Sequence, residues 1–340
     1  MIKTTLAWIA ALSCTALPSF AAGIGYNVQT VSFPGDNFTQ LLGINDSDSI
    51  VGYHGATVNK GFTLTLPSTF TETNFPGSAQ TQVIGVSSAA GNNNKVGFYV
   101  DSGGATHGFI DIPGLPPGTG PFFNVDQPGT AFNQVLGISS VGNRIAGYSS
   151  TDPTGMTLQR AYIGTAGLFG NMFTDINGLL PSNQNSQATG INKAGNAVGF
   201  YMPTGDTAIG FLDTAGTINS IDPFGSTFTQ ALGINDSGEI VGSYVDANGV
   251  QHGYTDRGGL FSSFDPAGSA STTINGVNSR GQLVGFATIN DTVVGFVATP
   301  VPEPASCALL GIAGIVLILG GLSRRDGGKE NQPISEELYS

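Results

Sequence analysis

A tripeptide of Gly, then Ile or Val, then Asn or Ser recurs six times and constrains the fold more than any other feature. It begins at Gly43, Gly85, Gly137, Gly190, Gly233 and Gly276, at intervals of 42, 52, 53, 43 and 43 residues. Periods of this length are typical of chains built from repeated supersecondary units, none of which buries its apolar face alone. The sequence therefore predicts six structural repeats.

The fifth repeat predicts four short strands, at Phe228–Asn235, Glu239–Val245, Gly249–Thr255 and Leu260–Phe264. Asn, Asp and Gly separate them, and these residues favour tight turns between strands. Four strands in about 40–45 residues is the size of one propeller blade. No sustained 3.6-residue apolar period occurs between residues 23 and 300. We therefore predict an all-β, six-bladed β-propeller, with a β-solenoid as the alternative.

The start of the repeat region resembles a fourth strand that has been separated from its blade. Tyr26–Phe33 precedes a Pro-Gly turn, much as Phe261–Phe264 precedes Asp265-Pro266, and the last repeat, Thr273–Ala298, contains only three predicted strands. We expect the N-terminal segment to complete the last blade by pairing around Val293–Ala298. A ring closed in this way hides its sheet edges.

Charge and cysteine content limit the partners and the chemistry. The 340 residues include 11 basic and 23 acidic side chains, a formal net charge of −12. This balance argues against nucleic acid and anionic lipid as partners. The two cysteines, Cys14 and Cys307, lie in apolar end segments. The repeat region therefore forms no disulfide, even in an oxidising compartment.

A glutamine recurs three residues before the tripeptide. Its copies are Gln40, Gln82, Gln134, Gln187 and Gln230, with Thr273 in the sixth repeat. Because the first strand of each propeller blade borders the central channel, these residues predict a ring of amides there. We interpret the ring as a structural set of hydrogen bonds that fixes strand register, and a polar ligand bound in the channel is the alternative.

No motif predicts an enzyme, a cofactor or a metal site. His107 and His252 occupy a third-strand position that holds Lys, Arg, Ile or Val in other repeats, and His54 stands apart. The oxygen-rich segment Asn45–Asp48 lacks the D-x-D-x-D-G spacing of a calcium loop. Repeat-equivalent aspartates such as Asp126 are interpreted as turn formers. Polysaccharide cleavage in its usual form needs two opposed carboxyls, and no motif marks such a pair.

The two longest repeats carry extra Pro-, Gly- and Asn-rich material. These inserts lie near residues 91–94, 113–121 and 164–186. We interpret them as loops, which either form a binding face or are simply tolerated on a rigid scaffold.

The N-terminus predicts a secretory signal peptide over residues 1–21. Lys3 supplies the positive start, and Leu6–Leu17 is an apolar core too short to span a bilayer. Cleavage is expected between Ala21 and Ala22. Cys14 raises a lipoprotein signal as an alternative. The repeat region then occupies residues 22–300.

The C-terminus predicts a membrane-spanning sorting segment over residues 301–325. Pro302, Glu303 and Pro304 precede the apolar run Ala305–Leu322, and Arg324 and Arg325 follow it. Basic residues after a span keep that end cytoplasmic. Residues 326–340 then form an acidic cytoplasmic tail. A permanent single-pass anchor is the alternative to sorting.

Two resemblances follow from these motifs. Gly233–Gly242 and His252-Gly253-Tyr254 resemble the HAF family of extracellular repeats, which implies an extracellular propeller-like module with no known activity. Pro302-Glu303-Pro304, the span and the arginine pair resemble the PEP-CTERM sorting signal of Gram-negative bacteria that make exopolysaccharide. That resemblance implies recognition by an exosortase, inner-membrane anchoring before processing, and then release to the cell surface or outside.

The sequence thus predicts an exported, non-catalytic binding or display protein of the cell surface or extracellular matrix. The expected partners are exosortase, the secretion machinery, and exopolysaccharide or other envelope components. A polysaccharide-cleaving propeller enzyme is the alternative.

Overall fold

The computed structural model describes residues 25–89, 93–116, 120–168, 170–180, 185–203 and 207–301. Within them, each repeat folds into one four-stranded antiparallel sheet, and the six sheets belong to one compact unit, Tyr26–Pro300. The other unit comprises the chain ends, of which only Gly25 and Val301 are described. The predicted all-β, six-bladed β-propeller is confirmed.

Five blades each take their strands from consecutive segments. Blade 1 contains β2 (Thr39–Ile44), β3 (Ser49–His54), β4 (Lys60–Thr65) and β5 (Thr69–Glu72). Blade 2 contains β6 (Gln80–Val86), β7 (Lys95–Val100), β8 (Thr106–Asp111) and β9 (Phe122–Asn124). Blade 3 contains β10 (Phe132–Ile138), β11 (Arg144–Ser150), β12 (Arg160–Thr165) and β13 (Met172–Asp175). Blade 4 contains β14 (Ser186–Ile191), β15 (Ala197–Tyr201), β16 (Ile209–Thr214) and β17 (Thr217–Ile221). Blade 5 contains β18 (Phe228–Ile234), β19 (Glu239–Val245), β20 (Gln251–Arg257) and β21 (Phe261–Phe264).

Blade 6 joins the two ends of the propeller. It contains β22 (Ser269–Val277), β23 (Leu283–Ile289), β24 (Thr292–Pro300) and, as its fourth strand, β1 (Tyr26–Val31). β1 runs antiparallel to β24, from Tyr26 opposite Pro300 to Val31 opposite Gly295. The predicted closure of the ring is therefore confirmed, with the expected pairing partner.

The asparagine of the repeated tripeptide holds its own turn and also reaches the next blade. In blade 5, Asn235 Oδ1 accepts hydrogen bonds from the backbone N–H groups of Ser237 and Glu239. Its Nδ2 donates to the Asn278 carbonyl of blade 6 at 3.0 Å. The same Nδ2-to-carbonyl bond runs from blade 4 to 5, from blade 6 to 1 and from blade 1 to 2. Asparagine recurs because one short amide satisfies two turn donors and one carbonyl.

Two repeated glycines allow backbones to approach closely. A Cβ on Gly43 of the first tripeptide would lie 2.6 Å from the Ile84 carbonyl oxygen of blade 2. A Cβ on Gly242, in the second strand of blade 5, would lie 1.9 Å from the Gln230 carbonyl oxygen of the first strand. Any larger residue at these positions forces strands or blades apart.

The core lies between neighbouring blades. In the described part of the chain, six clusters of buried apolar side chains each combine residues from two adjacent blades. At the closing joint, Val31 of β1 packs with Leu41 of blade 1 and Val297 of blade 6. Blades thus stabilise each other through the apolar area that they bury together.

The third repeat departs from the prediction that its insert is only a loop. The segment from 164 to 186 contains the fourth strand, Met172–Asp175, and a 3₁₀ turn, Asn177–Leu179. A second 3₁₀ turn covers Pro223–Gly225. The described residues contain no α-helix. The insert near 113–121 does connect two strands, β8 and β9, and its residues 117–119 lie outside the described part.

Candidate functional site: the central channel

The first strand of every blade lines a central channel. Because side chains alternate along a strand, every second residue of β2 faces the axis: Gln40, Leu42 and Ile44 line one cavity. Asp46, two residues further, lines a second and narrower cavity beyond it. The equivalent residues of the other first strands build four layers along the axis.

The outermost layer contains the glutamines that the sequence singles out. Gln40, Gln82, Gln134, Gln187 and Gln230 all line the same cavity, which has a volume of about 320 Å³. Each is partly exposed. Thr273 of blade 6 is 5% exposed and accepts a hydrogen bond from Gln251 Nε2 at 2.6 Å. The structure therefore brings the five predicted residues together around one opening.

The glutamines differ in their partners. Gln82 Nε2 donates to Asn59 Oδ1 at 2.7 Å, and Gln187 Nε2 donates to Gln159 Oε1 at 3.0 Å, in each case on the preceding blade. The side chains of Gln40, Gln134 and Gln230 make no hydrogen bond to any described residue. Some of these amides thus link blades, and others face the open channel.

Aromatic side chains stand beside the amides. Tyr53, Phe98 and Phe200 line the cavity from the second strands, where they pair with Gln40, Gln82 and Gln187. Burial raises the pKa of Tyr53 to about 12, so its hydroxyl stays neutral across the physiological range. The lining therefore combines aromatic side chains with neutral polar groups.

The next two layers are mainly aliphatic. A bulge in each first strand directs one unpaired residue at the axis, for example Leu42 between Leu41 and Gly43. This layer consists of Leu42, Ile84, Leu136, Thr189, Leu232 and Asn275. Ile or Val follows two residues later in every blade. The two polar members bond to neighbouring carbonyls: Thr189 Oγ1 donates to Ala231 O, and Asn275 Nδ2 to Leu41 O.

The far end of the channel is narrowed by a polar network. Ser140 Oγ of blade 3 donates to Asp236 Oδ2 of blade 5 at 2.6 Å, past blade 4. Asp46 Oδ1 accepts from the Ser279 backbone N–H at 2.8 Å. Burial opposes it, but hydrogen bonds from Ser279 and Ser88 hold the pKa of Asp46 below its ordinary value. The cavity here shrinks to about 60 Å³.

The described lining of the main cavity contains no ionisable side chain other than the Tyr53 phenol. Acid–base and nucleophilic catalysis need groups that titrate or ionise near neutral pH. Neutral amides, aromatic rings and aliphatic chains instead provide hydrogen bonds and apolar contact.

The histidines form clamps away from this cavity, and sequence reasoning missed them. His252 Nδ1 lies 2.7 Å from Asp265 Oδ2, and its Nε2 lies 3.7 Å from Asp246 Oδ2. His107 repeats the arrangement in blade 2, with Asp126 at 2.7 Å and Asp101 at 3.5 Å. The signal was present, since each histidine recurs with the same two aspartates. The clamps tie the third strand to the two adjacent turns.

His54 belongs to a different pair. Its Nδ1 lies 3.0 Å from Asp36 Oδ2, and its ring stacks on Phe33 at 3.5 Å. The hydrogen bond from His54 lowers the pKa of Asp36. Among the described residues, no group of three or more His, Cys, Asp or Glu side chains has a geometry that could hold a metal ion. Asn45, of the oxygen-rich turn, uses its Oδ1 for the turn itself.

The predicted sorting and cleavage residues lie outside the described part of the chain. These are Ala21, Ala22, Pro302, Glu303, Pro304, Arg324 and Arg325. Within the described residues, no helix has the length and apolar character needed to cross a membrane. The predicted C-terminal span, Ala305–Leu322, falls beyond them.

Comparisons with known proteins support only the fold. No family model matches the sequence, and no curated protein sequence matches it. Among solved structures, a Trypanosoma rangeli sialidase in complex with sialic acid is similar with a TM-score of 0.49 and 9% identity, over 93% of this chain and 64% of that one. The chain therefore spans about two-thirds of the sialidase's length.

Two further solved structures are similar to this chain. A mutant of AofleA from Arthrobotrys oligospora matches with a TM-score of 0.48 and 10% identity, over 80% of this chain and 86% of that one. Aleuria aurantia lectin in complex with Fucalpha1-6GlcNAc matches with a TM-score of 0.40 and 9% identity, over 82% and 97%. At these values the likeness carries no argument, and function must be argued from this chain's own residues.

Proposed function

We propose that this chain is an exported, non-catalytic propeller that binds envelope or matrix polysaccharide and is displayed at the cell surface. The observation that carries the proposal is the axial cavity, which is lined by amides, aromatic rings and aliphatic side chains without a carboxylate or a histidine. A glycosidase of the usual kind needs two carboxyls on either side of the scissile bond. The described lining residues of this cavity include no carboxyl group.

The carboxylates on the rest of the propeller favour the same proposal. Asp265 and Asp126 are engaged by His252 and His107. Asp175, the carboxylate of the third insert, lies 2.7 Å from Arg160 Nη2. Groups held in ion pairs that recur between blades, or that fix a turn, serve stability first. An active site instead needs one acid, one base and one substrate path.

Export and display rest on the two chain ends. The signal-like residues 1–21 and the Pro302-Glu303-Pro304 motif with its span and arginines support sorting by an exosortase. A net charge of −12 keeps a glycine-rich sheet protein soluble. The proposed partners are thus the secretion machinery, exosortase and a neutral or weakly charged polysaccharide.

The test follows polysaccharide retention and polysaccharide chain length in one experiment. The full chain, purified in detergent and immobilised, is incubated with envelope polysaccharide. Retention without any change in chain length is expected. Shortened chains that disappear on Asp175→Asn, but persist on the neighbouring Thr174→Ala, would establish an enzyme instead. Absence of retention would remove the polysaccharide as partner.

A further inference from the structure

The opening of the channel has a threefold rather than a sixfold pattern. Blades 2, 4 and 6 each have their glutamine or threonine position bonded to an amide of the preceding blade: Gln82 to Asn59, Gln187 to Gln159, and Thr273 to Gln251. Blades 1, 3 and 5 carry Gln40, Gln134 and Gln230, whose side chains bond to no described residue. Bonded and free positions therefore alternate around the ring.

The alternation correlates with one sequence position at the start of the third strand of each blade. It is the residue directly before Lys60 in blade 1 and before His107 in blade 2. Blades 1, 3 and 5 have an amide there: Asn59, Gln159 and Gln251. Blades 2, 4 and 6 have Thr106, Ala208 and Val293, and none of them bonds to the glutamine of the following blade. Whether a glutamine is bonded or free therefore depends on whether the preceding blade has an amide at this position, and that residue alternates from blade to blade.

A free amide in a partly enclosed channel is suited to hydroxyl groups. Each side chain offers one carbonyl acceptor and two N–H donors, and a hydroxyl group both donates and accepts. Because Gln40, Gln134 and Gln230 are partly exposed, water can satisfy them in the free protein, and ligand hydroxyls can take the place of that water. Three such amides on alternate blades can contact hydroxyls on several sides of one ligand.

The remaining lining defines the rest of the ligand. Tyr53, Phe98 and Phe200 add aromatic carbon to the lining, which can contact the apolar C–H groups of a ligand. No charged side chain among the described lining residues could compensate a buried ligand charge. The volume of about 320 Å³ lies at the lower end of the range for small-molecule pockets. These features match a single neutral sugar ring better than an oligosaccharide or an anion.

The narrow far end determines how the ligand enters. Beyond the Ile and Val layer, the Ser140–Asp236 bond links blades 3 and 5 past blade 4, and the cavity there holds only about 60 Å³, too little for a sugar ring. A polysaccharide therefore cannot thread through the channel, and only a chain end or a free monosaccharide can enter from the glutamine side.

We propose that Gln40, Gln134 and Gln230 bind one neutral saccharide unit, free or at the end of a chain, in the mouth of the channel. The proposal rests on the proposed binding function and names its ligand class and its entry side. Gln82 and Gln187 each donate one N–H to the preceding blade and act as positioning residues between blades.

The test is a calorimetric titration of the full chain in detergent. The probes are galactose, glucose and mannose, with glucuronate as the charged comparison and α-cyclodextrin as a neutral saccharide without chain ends. At least one neutral monosaccharide should bind, and glucuronate and α-cyclodextrin should bind at least tenfold more weakly. A linear neutral oligosaccharide should compete with the monosaccharide if chain ends are the natural source. Competition by free sugar alone would identify the free monosaccharide.

Variants separate the two kinds of glutamine. Gln40→Leu, Gln134→Leu and Gln230→Leu should each weaken binding by about fivefold to tenfold, the value of one hydrogen bond. Gln82→Leu and Gln187→Leu are the comparison variants: they should weaken binding less than the other three substitutions do, and they should lower the unfolding midpoint, because each removes a hydrogen bond between blades. Unfolding curves of all five variants verify folding.

Three results would overturn the inference. They are absence of binding by every neutral monosaccharide, equal binding of α-cyclodextrin, and equal effects of the two groups of variants. Retention of polysaccharide that survives all three Leu substitutions would leave the proposed function standing and refute only the channel site. Shortened polysaccharide would refute the proposed function itself.

Discussion

Tyr254 and Tyr162 occupy the same third-strand position in blades 5 and 3, yet only one hydroxyl has a partner. Tyr162 OH donates to the Gln134 carbonyl at 3.1 Å. Tyr254 OH is buried and has no hydrogen-bond partner among the described residues. The other four blades have phenylalanine there, at Phe62, Phe109, Phe211 and Phe296. The ring is therefore required for packing at this position, and the hydroxyl is not.

Tyr254→Phe should stabilise the propeller. Removing a buried hydroxyl without a partner recovers about 1 kcal/mol, which raises the Tm by about 2–4 °C for a unit of this size. Tyr162→Phe is the matched control and should destabilise by about 1 kcal/mol, because the Gln134 carbonyl loses its donor. Thermal unfolding of both variants measures the difference. A lower Tm for Tyr254→Phe would show that its hydroxyl has an unseen partner such as water.

His252 should make stability depend on pH. The hydrogen bond to Asp265 raises the pKa of His252, burial opposes the shift, and the charges of Asp265 and Asp246 reinforce it. A folded-state pKa above the unfolded value of about 6.5 stabilises the fold fully below that value, and the contribution disappears as pH rises through the folded pKa. His252→Gln should therefore cost more stability near about pH 5.5 than near about pH 8.5. Urea unfolding at the two pH values tests this; equal costs would contradict it.

The glutamine positions were predictable from the sequence, and their partners were not. A fixed offset from the tripeptide places all five on the first strand, hence on the channel wall. Whether each amide is free depends on Asn59 and Gln159, which lie 23 and 28 residues before their partners on another blade. Only the register between blades brings these residues together, and a repeat pattern alone does not define that register.

At the scale of strands, β1 closes the ring by completing blade 6. It pairs along its length with β24 and places Val31 in the apolar cluster at the joint of blades 6 and 1. Tyr26 adds an edge contact to Phe264 of blade 5, with ring centroids 5.2 Å apart. One strand of six residues therefore contacts three blades.

Deletion of Tyr26–Phe33 should destroy cooperative unfolding and cause aggregation. It exposes the edge of β24, a row of unpaired backbone groups ready to join another chain. The control is Gln29→Ala combined with Thr30→Ala, which changes two exposed side chains and keeps the strand. Calorimetry and light scattering compare the two proteins. A deletion variant that melts like the parent protein would show that closure contributes no stability.

Strand boundaries were predicted within about two residues in blade 5 because its turns contain the Asp, Gly and Asn residues that tight turns require. The fourth strand of the third repeat was not predicted from the sequence. This strand, Met172–Asp175, consists of one exposed Met, one Phe and two polar residues, and it carries no repeat signal. Its place is set by pairing with β12, for example Phe173 opposite Gly164, and such pairing is a property of the folded blade.

At the scale of the whole molecule, we propose that the repeat region binds a ligand and that the chain ends direct export and sorting. The propeller has no cysteine, and the sequence's Trp8, Cys14 and Cys307 all lie in the end segments. Stability of the propeller therefore comes from packing between blades. The proposed sorting function rests on the end segments alone, so each part can be altered without loss of the other.

Surface-released protein should begin at or near Ala22 and lack the apolar run Ala305–Leu322. It should then contain neither tryptophan nor thiol, because Trp8, Cys14 and Cys307 leave with the ends. Intact-mass measurement, together with tryptophan fluorescence and a thiol assay, tests both cleavages at once. Glu303→Ala should keep the protein in the membrane fraction at its larger mass, whereas Glu330→Ala in the acidic tail should be released normally. A released protein that retains the run, or a Glu303→Ala variant processed like the parent, would rule out exosortase processing and leave a permanent membrane anchor as the explanation of the span.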